Sequence, residues 1–144
     1  MSGRLRDDEG RVSIFLAIAL AGMLMVIGLA YDGAGQLGAL QRAHNLAAEA
    51  ARAGGQSIDR AQAIEGGPTQ INEAEAIAAV DAYRAAAGVG GPPPTFATGP
   101  DGEPLIQVEV SVTYDNKFLD VFGFSDTSTV TGTATAVLLT TPDE

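Results

Sequence analysis

The sequence predicts an α+β protein with a long N-terminal helix, a second shorter helix and a C-terminal antiparallel sheet of three or four strands. Three observations predict it. Residues 12–31, VSIFLAIALAGMLMVIGLAY, run without a charge over the length at which a helix crosses the hydrocarbon core of a bilayer. Residues 36–53, QLGALQRAHNLAAEAARA, continue as good helix formers with no proline. After the linker GVGGPPP (residues 88–94) the apolar period changes from helical to two.

The elements follow in chain order. Residues 1–11 form a charged N-terminal segment and residues 12–31 a transmembrane helix. A cleaved signal peptide is the rival for the apolar run, with small residues at Gly28, Leu29 and Ala30 near a plausible cut. Its length exceeds the roughly 7 to 15 residues of a signal core, and Asp7, Asp8 and Glu9 stand where such peptides are basic, so an anchor is expected. Arg4, Arg6 and Arg11 precede the span and the next basic residue is Arg42, which predicts a cytoplasmic N-terminus in the cytoplasmic membrane and an extracytoplasmic chain from Asp32 onward.

Residues 32–91 read as an extracytoplasmic helical region. The membrane helix is expected to continue into water as one helix of about 40 residues. Ala39, Ala43, Ala47 and Ala51 lie four apart on its aqueous half, a smooth stripe that either admits a close helix or sheet or reflects only alanine's helix propensity. Gly54-Gly55 and EGGPT (residues 65–69) break it. A second helix is capped by Asn72 with Glu75 three residues on, runs to Ala87 and ends at Gly88. Its thin apolar face, Ile77, Val80 and Ala87, suggests a helix lying on something larger.

Residues 92–144 form the β region. In LIQVEVSVTY (residues 105–114), Ile106, Val108, Val110, Val112 and Tyr114 share one face, and Gln107, Glu109, Ser111 and Thr113 the other. TFAT (residues 95–98), joined through GPDG, is its hairpin partner. The last strand, residues 128–140, places Val130, Gly132, Ala134 and Ala136 on one face, small enough for a helix to pack close.

Composition narrows the function. A net charge of −10 and a pI near 4.3 repel phosphate, so nucleic acid is not an expected partner. With no cysteine and one histidine, His44, there is no thiolate chemistry and little material for a base near neutral pH. His44 has no carboxylate three or four residues away and reads as an exposed helix histidine. Asp101, Glu103, Asp115 and Asp120 lack the spacing of a calcium loop. No catalytic set, metal, cofactor or small-molecule substrate is expected.

Gly33, Gly35 and Gly38 spell GxGxxG. The preceding apolar run is too long for a Rossmann strand and no second parallel strand follows, so these glycines are read as small residues of an emerging helix, with Ala30, Ala34 and Gly38 at small-xxx-small spacing. Asp32, at the outer rim of the span, is expected to be hydrated or held by a cation of a neighbouring subunit. Residues 116–126, NKFLDVFGFSD, hold Phe118, Phe122 and Phe124, three of the five phenylalanines. They either plug the end of a small core or form an apolar edge that docks another subunit.

The sequence DDEGRVS, the span ending GLAYDGAGQLGALQRAHNLAAEAARAGGQ and the later VEVSVTY…FLDVFGF…STVTGTATAVL resemble the TadE/TadG-like proteins of Tad (Flp, tight-adherence) pilus assembly, particularly the actinobacterial kind. The resemblance implies a membrane-anchored, pilin-like fold and a role as a minor pilin or pseudopilin, with the membrane, other pilin-like subunits or assembly-platform proteins as partners. It implies a prepilin-type processing site between Gly10 and Arg11. A cut there puts Phe15 fifth in the mature chain, where the family's pilins carry glutamate, so the chain looks nearer to uncut anchored members. Subunit packing would fall to Asp32, to Ala39, Ala43, Ala47 and Ala51, and to Phe118, Phe122 and Phe124. The alternative is a membrane-tethered extracytoplasmic domain that binds a small ligand or cell-wall component, unrelated to pili.

Overall fold

The computed structural model describes residues 5–56 and 72–137. The order is α1 (Leu5–Gly55), α2 (Glu73–Ala87), β1 (Thr95–Thr98), β2 (Pro104–Asp115) and β3 (Thr127–Val137). The three strands form one antiparallel sheet in the order β1-β2-β3. The architecture is the expected α+β one, with three strands among the described residues. Residues 57–71 between the helices, including all of EGGPT, and residues 138–140 of the expected last strand lie outside them.

Helix α1 is 51 residues long and begins ahead of the apolar run. No proline interrupts it, and it stops at the expected glycines, with Gln56 N–H donating to Arg52 O at 3.2 Å. The chain divides into two compact units, each with a part of α1.

The first unit comprises residues up to Gln36 together with Asp115–Ser128. Large apolar side chains of the span point outward all around the helix, among them Val12, Phe15, Leu20, Met23 and Ile27. A helix apolar on every side has no water-facing surface, and this one has a stretch with mean hydropathy 2.6, compatible with a single-pass membrane anchor. Gly10, in the same helix, has nothing within 4 Å of where a Cβ would stand.

The second unit comprises Leu37–Tyr114 and the chain from Thr129. Its core is Ala43, Ala47, Ala50 and Ala51 of α1, Ala76 and Val80 of α2, and Ile106, Val108, Val110 and Val112 of β2. The apolar face of β2 is buried as the period of two requires. A core with so few large side chains is built by bringing backbones close. A Cβ on Gly132 of β3 would stand 2.2 Å from His44 N and 2.3 Å from Ala43 C, so the strand lies directly on the backbone of α1. A Cβ on Gly54 would meet Ile106 Cδ1 at 2.7 Å and Val80 Cγ2 at 2.9 Å, where α1, α2 and β2 converge. The contact at Gly132 is with fixed backbone and needs glycine, whereas that at Gly54 is with side-chain methyls that would have to shift.

Asn72 caps α2 by accepting from Glu75 N–H at 3.2 Å, and Gly88 ends it with φ 67°. The buried side chains of α2 are Ala76, Val80 and Arg84, four apart, whereas Ile77 and Ala87 are half-buried. The buried face is therefore rotated from the expected one and includes an arginine, whose burial is compensated by a hydrogen bond to β2. Arg84 is 4% exposed and donates from Nη2 to Glu109 O. The hairpin register runs from Thr95 opposite Gln107 to Thr98 opposite Pro104, and Gly102, at φ 83°, turns the chain between the strands. A bridge between Gly90 and Ser111 continues the pairing along β2.

Replacing Gly132 by alanine forces β3 off α1 and is expected to destabilise the second unit by about 3 kcal/mol, at the upper end of overpacking costs. Gly38, with open space around it, takes alanine with a gain of up to about 1 kcal/mol. Thermal unfolding of the two full-length variants in detergent, followed by circular dichroism, compares them. Equal melting temperatures would contradict the close contact.

Candidate functional site at the end of the apolar helix

In the first unit, α1 places Gly28, Asp32 and Gln36 one turn apart on one side. The loop 116–126 packs along these three residues. Asp32 is fully buried. Its Oδ1 accepts the N–H of Lys117 at 2.9 Å, and its Oδ2 accepts those of Phe118 at 2.9 Å and Leu119 at 2.7 Å. Three successive amides converging on one carboxylate give it a concentrated positive potential without leaving the backbone. The loop can present them because it turns immediately afterwards. Phe122 and Phe124 N–H donate to Leu119 O, Gly123 N–H donates to Asp120 O, and Gly123 has φ 80°.

One turn further on, Gln36 Nε2 donates to Asn116 Oδ1 at 3.1 Å and to Ser128 Oγ at 3.2 Å. Asn116 Nδ2 donates in turn to Ser125 O at 2.7 Å and to Ser128 Oγ at 2.9 Å, and Asn116 N–H to Asp126 O, so this buried amide ties both ends of the loop. One turn before Asp32, the missing side chain of Gly28 admits Phe118, whose Cβ would be 2.7 Å from a Cβ there. The Phe118 ring meets Tyr31 edge-on with centroids 5.3 Å apart.

These positions revise two sequence expectations. Asp32, expected at the hydrated rim of the span, is instead fully buried within its own chain. The loop of its own chain supplies the donors that compensate its burial. Phe118, Phe122 and Phe124 do not plug the end of a core, being 39%, 37% and 60% exposed. In the second unit, Ala43, Ala47 and Ala51 are buried in the core and Ala39 packs against it, so the smooth stripe admits the chain's own sheet. Arg11, like Gly10, is exposed on α1.

His44 is exposed and accepts Thr133 N–H at Nδ1, 3.3 Å away. Among the described residues no group of three or more His, Asp or Glu could hold a metal ion. A cavity of about 280 Å³ in the second unit is lined by Arg42, Val89, Ser111 and Thr113 with neighbouring backbone.

A buried carboxylate just beyond an apolar span, on a helix that continues into a small-residue core, is the setting for the comparison with known proteins. Residues 10–57 match the family described as "Putative Flp pilus-assembly TadE/G-like". The matched stretch is a third of the chain. The match supports the TadE/TadG-like assignment and, with the apolar helix, a membrane component associated with a Tad pilus. It covers Gly28, Asp32, Gln36 and the alanines of α1, and ends before the loop and the sheet. No curated protein and no solved structure matches the chain. The partnership of Asp32 with Lys117, Phe118 and Leu119 had no sequence signal beyond a carboxylate at the rim of a span, because no spacing rule pairs residues so far apart in the chain.

Substituting Asp32 tests the contact. Asparagine keeps the shape but turns one acceptor oxygen into a donor, so it cannot serve both Lys117 and the Phe118–Leu119 pair. Each lost charge-assisted bond is worth about 1.5–3 kcal/mol, so Asp32→Asn and Asp32→Ala are expected to speed amide exchange of residues 117–119 by about tenfold or more. The amide of Val108 in β2 serves as reference. Unchanged protection at residues 117–119 would contradict the contact.

Proposed function

We propose that the chain is a membrane-anchored, pilin-like component, a minor pilin or pseudopilin, of a Tad/Flp-type pilus assembly or secretion system, and that it acts by packing against other proteins rather than by catalysis. The observation that carries this reading is the outward apolar surface of α1 within a TadE/G-like segment. The arginines before the span favour a cytoplasmic N-terminus with the chain beyond Asp32 outside the cytoplasmic membrane. Residues 1–11, 12–31, 32–91 and 92–144 then serve as cytoplasmic segment, membrane helix, extracytoplasmic helical region and β region.

Partners would be other pilin-like subunits or platform proteins. Ala43, Ala47 and Ala51 are buried in the chain's own core, which supports a contact surface elsewhere on α1. Ala30 and Ala34 are exposed at small-xxx-small spacing and suit helix–helix approach in or near lipid. Gly10 and Arg11 are open to a prepilin peptidase, while Phe15 at the fifth mature position favours retention as a permanent anchor.

Loss of the protein from its host is expected to abolish or shorten surface pili, and crosslinking in the membrane to trap it with pilin-like subunits. Normal pili without crosslinks would overturn the proposal. Intact-mass measurement is expected to find residues preceding Arg11 still attached. A chain starting at Arg11 would mean processing, and one starting near Tyr31 a secreted domain. The tethered-binding alternative draws its support from the cavity beside Arg42, and a cell-wall fragment that raises the melting temperature of the full chain would favour it.

A further inference from the structure

We infer that the loop 116–126 is a second membrane contact, an aromatic wedge that enters the interfacial layer of the bilayer beside the end of the apolar helix. This rests on the reading of residues 12–31 as the membrane span. Phe118 packs on Gly28 and Tyr31, which belong to the last turn of that span, so the loop lies at the depth where the apolar helix ends. Its exposed large apolar side chains are Phe118, Val121, Phe122 and Phe124, at 39%, 75%, 37% and 60%, and Phe118 meets the exposed Tyr31 of α1. Tyrosine is favoured at this depth of a bilayer, and phenylalanine is among the residues that interfacial segments bury at the headgroup–acyl boundary.

A second, independent feature suits lipid better than water. Backbone amides entering an apolar layer need internal partners. Seven of the loop's eleven, those of Asn116, Lys117, Phe118, Leu119, Phe122, Gly123 and Phe124, have them, three from the Asp32 carboxylate and four from carbonyls within the loop. Asp32 thus fills the backbone requirement that an irregular segment ordinarily meets with water. The charges of Lys117, Asp120 and Asp126 are exposed and limit the wedge to the interface, where they reach headgroups and water. The loop's charge is not basic, so the attraction is apolar and does not need anionic lipid.

The chain has no tryptophan, so single-tryptophan variants report position directly. Full-length Met23→Trp, Phe122→Trp and Phe124→Trp are placed in phosphatidylcholine nanodiscs, one copy per disc, with bromine on the acyl chains either near the carbonyls or near the bilayer centre. Met23, at the middle of the span, is the depth reference. Phe122→Trp and Phe124→Trp are expected to emit at shorter wavelength than a free tryptophan amide and to lose about half of their emission to the shallow bromines, and less to the deep ones. Met23→Trp is expected to show the reverse order. Quenching at Met23→Trp with none at either loop position would overturn the wedge and leave the anchor standing. Absence of quenching at all three would overturn both. A blue shift at the loop that appears only with two copies per disc would assign the aromatic surface to a second subunit and overturn the wedge.

Discussion

Close access to the backbone of α1 is the constraint on which both units depend. In the first unit, Gly28 removes the side chain that would hold Phe118 away, and Asp32 then lies within hydrogen-bond reach of the following amides. In the second, Gly132 sets β3 on the peptide between Ala43 and His44, and Gly54 admits Ile106 and Val80. The chain has only 6% aromatic residues and no tryptophan, so it cannot fill wide spaces between elements. It closes those spaces instead, since dispersion and apolar burial depend on contact density as well as on side-chain size.

The burial of Asp32 shows what such closeness demands of polar groups. A carboxylate removed from water is unfavourable unless donors replace the solvent. Three loop amides do so, and the Gln36–Asn116–Ser128 cluster satisfies the next turn in the same way. The same bonds that stabilise the charge give the loop a defined conformation, with its aromatic side chains on the outside. Ordered apolar surface of this kind is what neighbouring proteins or lipids can recognise.

Local chemistry made the elements legible and left the site obscure. The N-cap at Asn72, the left-handed stop at Gly88, the alternation along β2 and the hairpin of β1 each depend on residues near one another in sequence, and each stands where its pattern puts it. The small face of β3 correctly announced a close helix. The partner of Asp32 could not be read, because a charge beside an apolar run says that it needs compensation without saying from where. The aromatic segment was ambiguous for a related reason, since phenylalanines between two strands fit a core plug or an outward edge equally well until the loop's hydrogen bonds fix which side faces out. The alanine stripe likewise needed the fold to show that its occupant is the chain's own sheet.

The most direct measurement of the central contact is the scalar coupling transmitted through hydrogen bonds between the amide nitrogens of Lys117, Phe118 and Leu119 and the side-chain carboxyl carbon of Asp32, recorded by nuclear magnetic resonance on the labelled full-length chain in micelles. Resolved couplings from these amides to that carbon are the expected result. Their absence, with all three amides exchanging freely with water, would contradict the account.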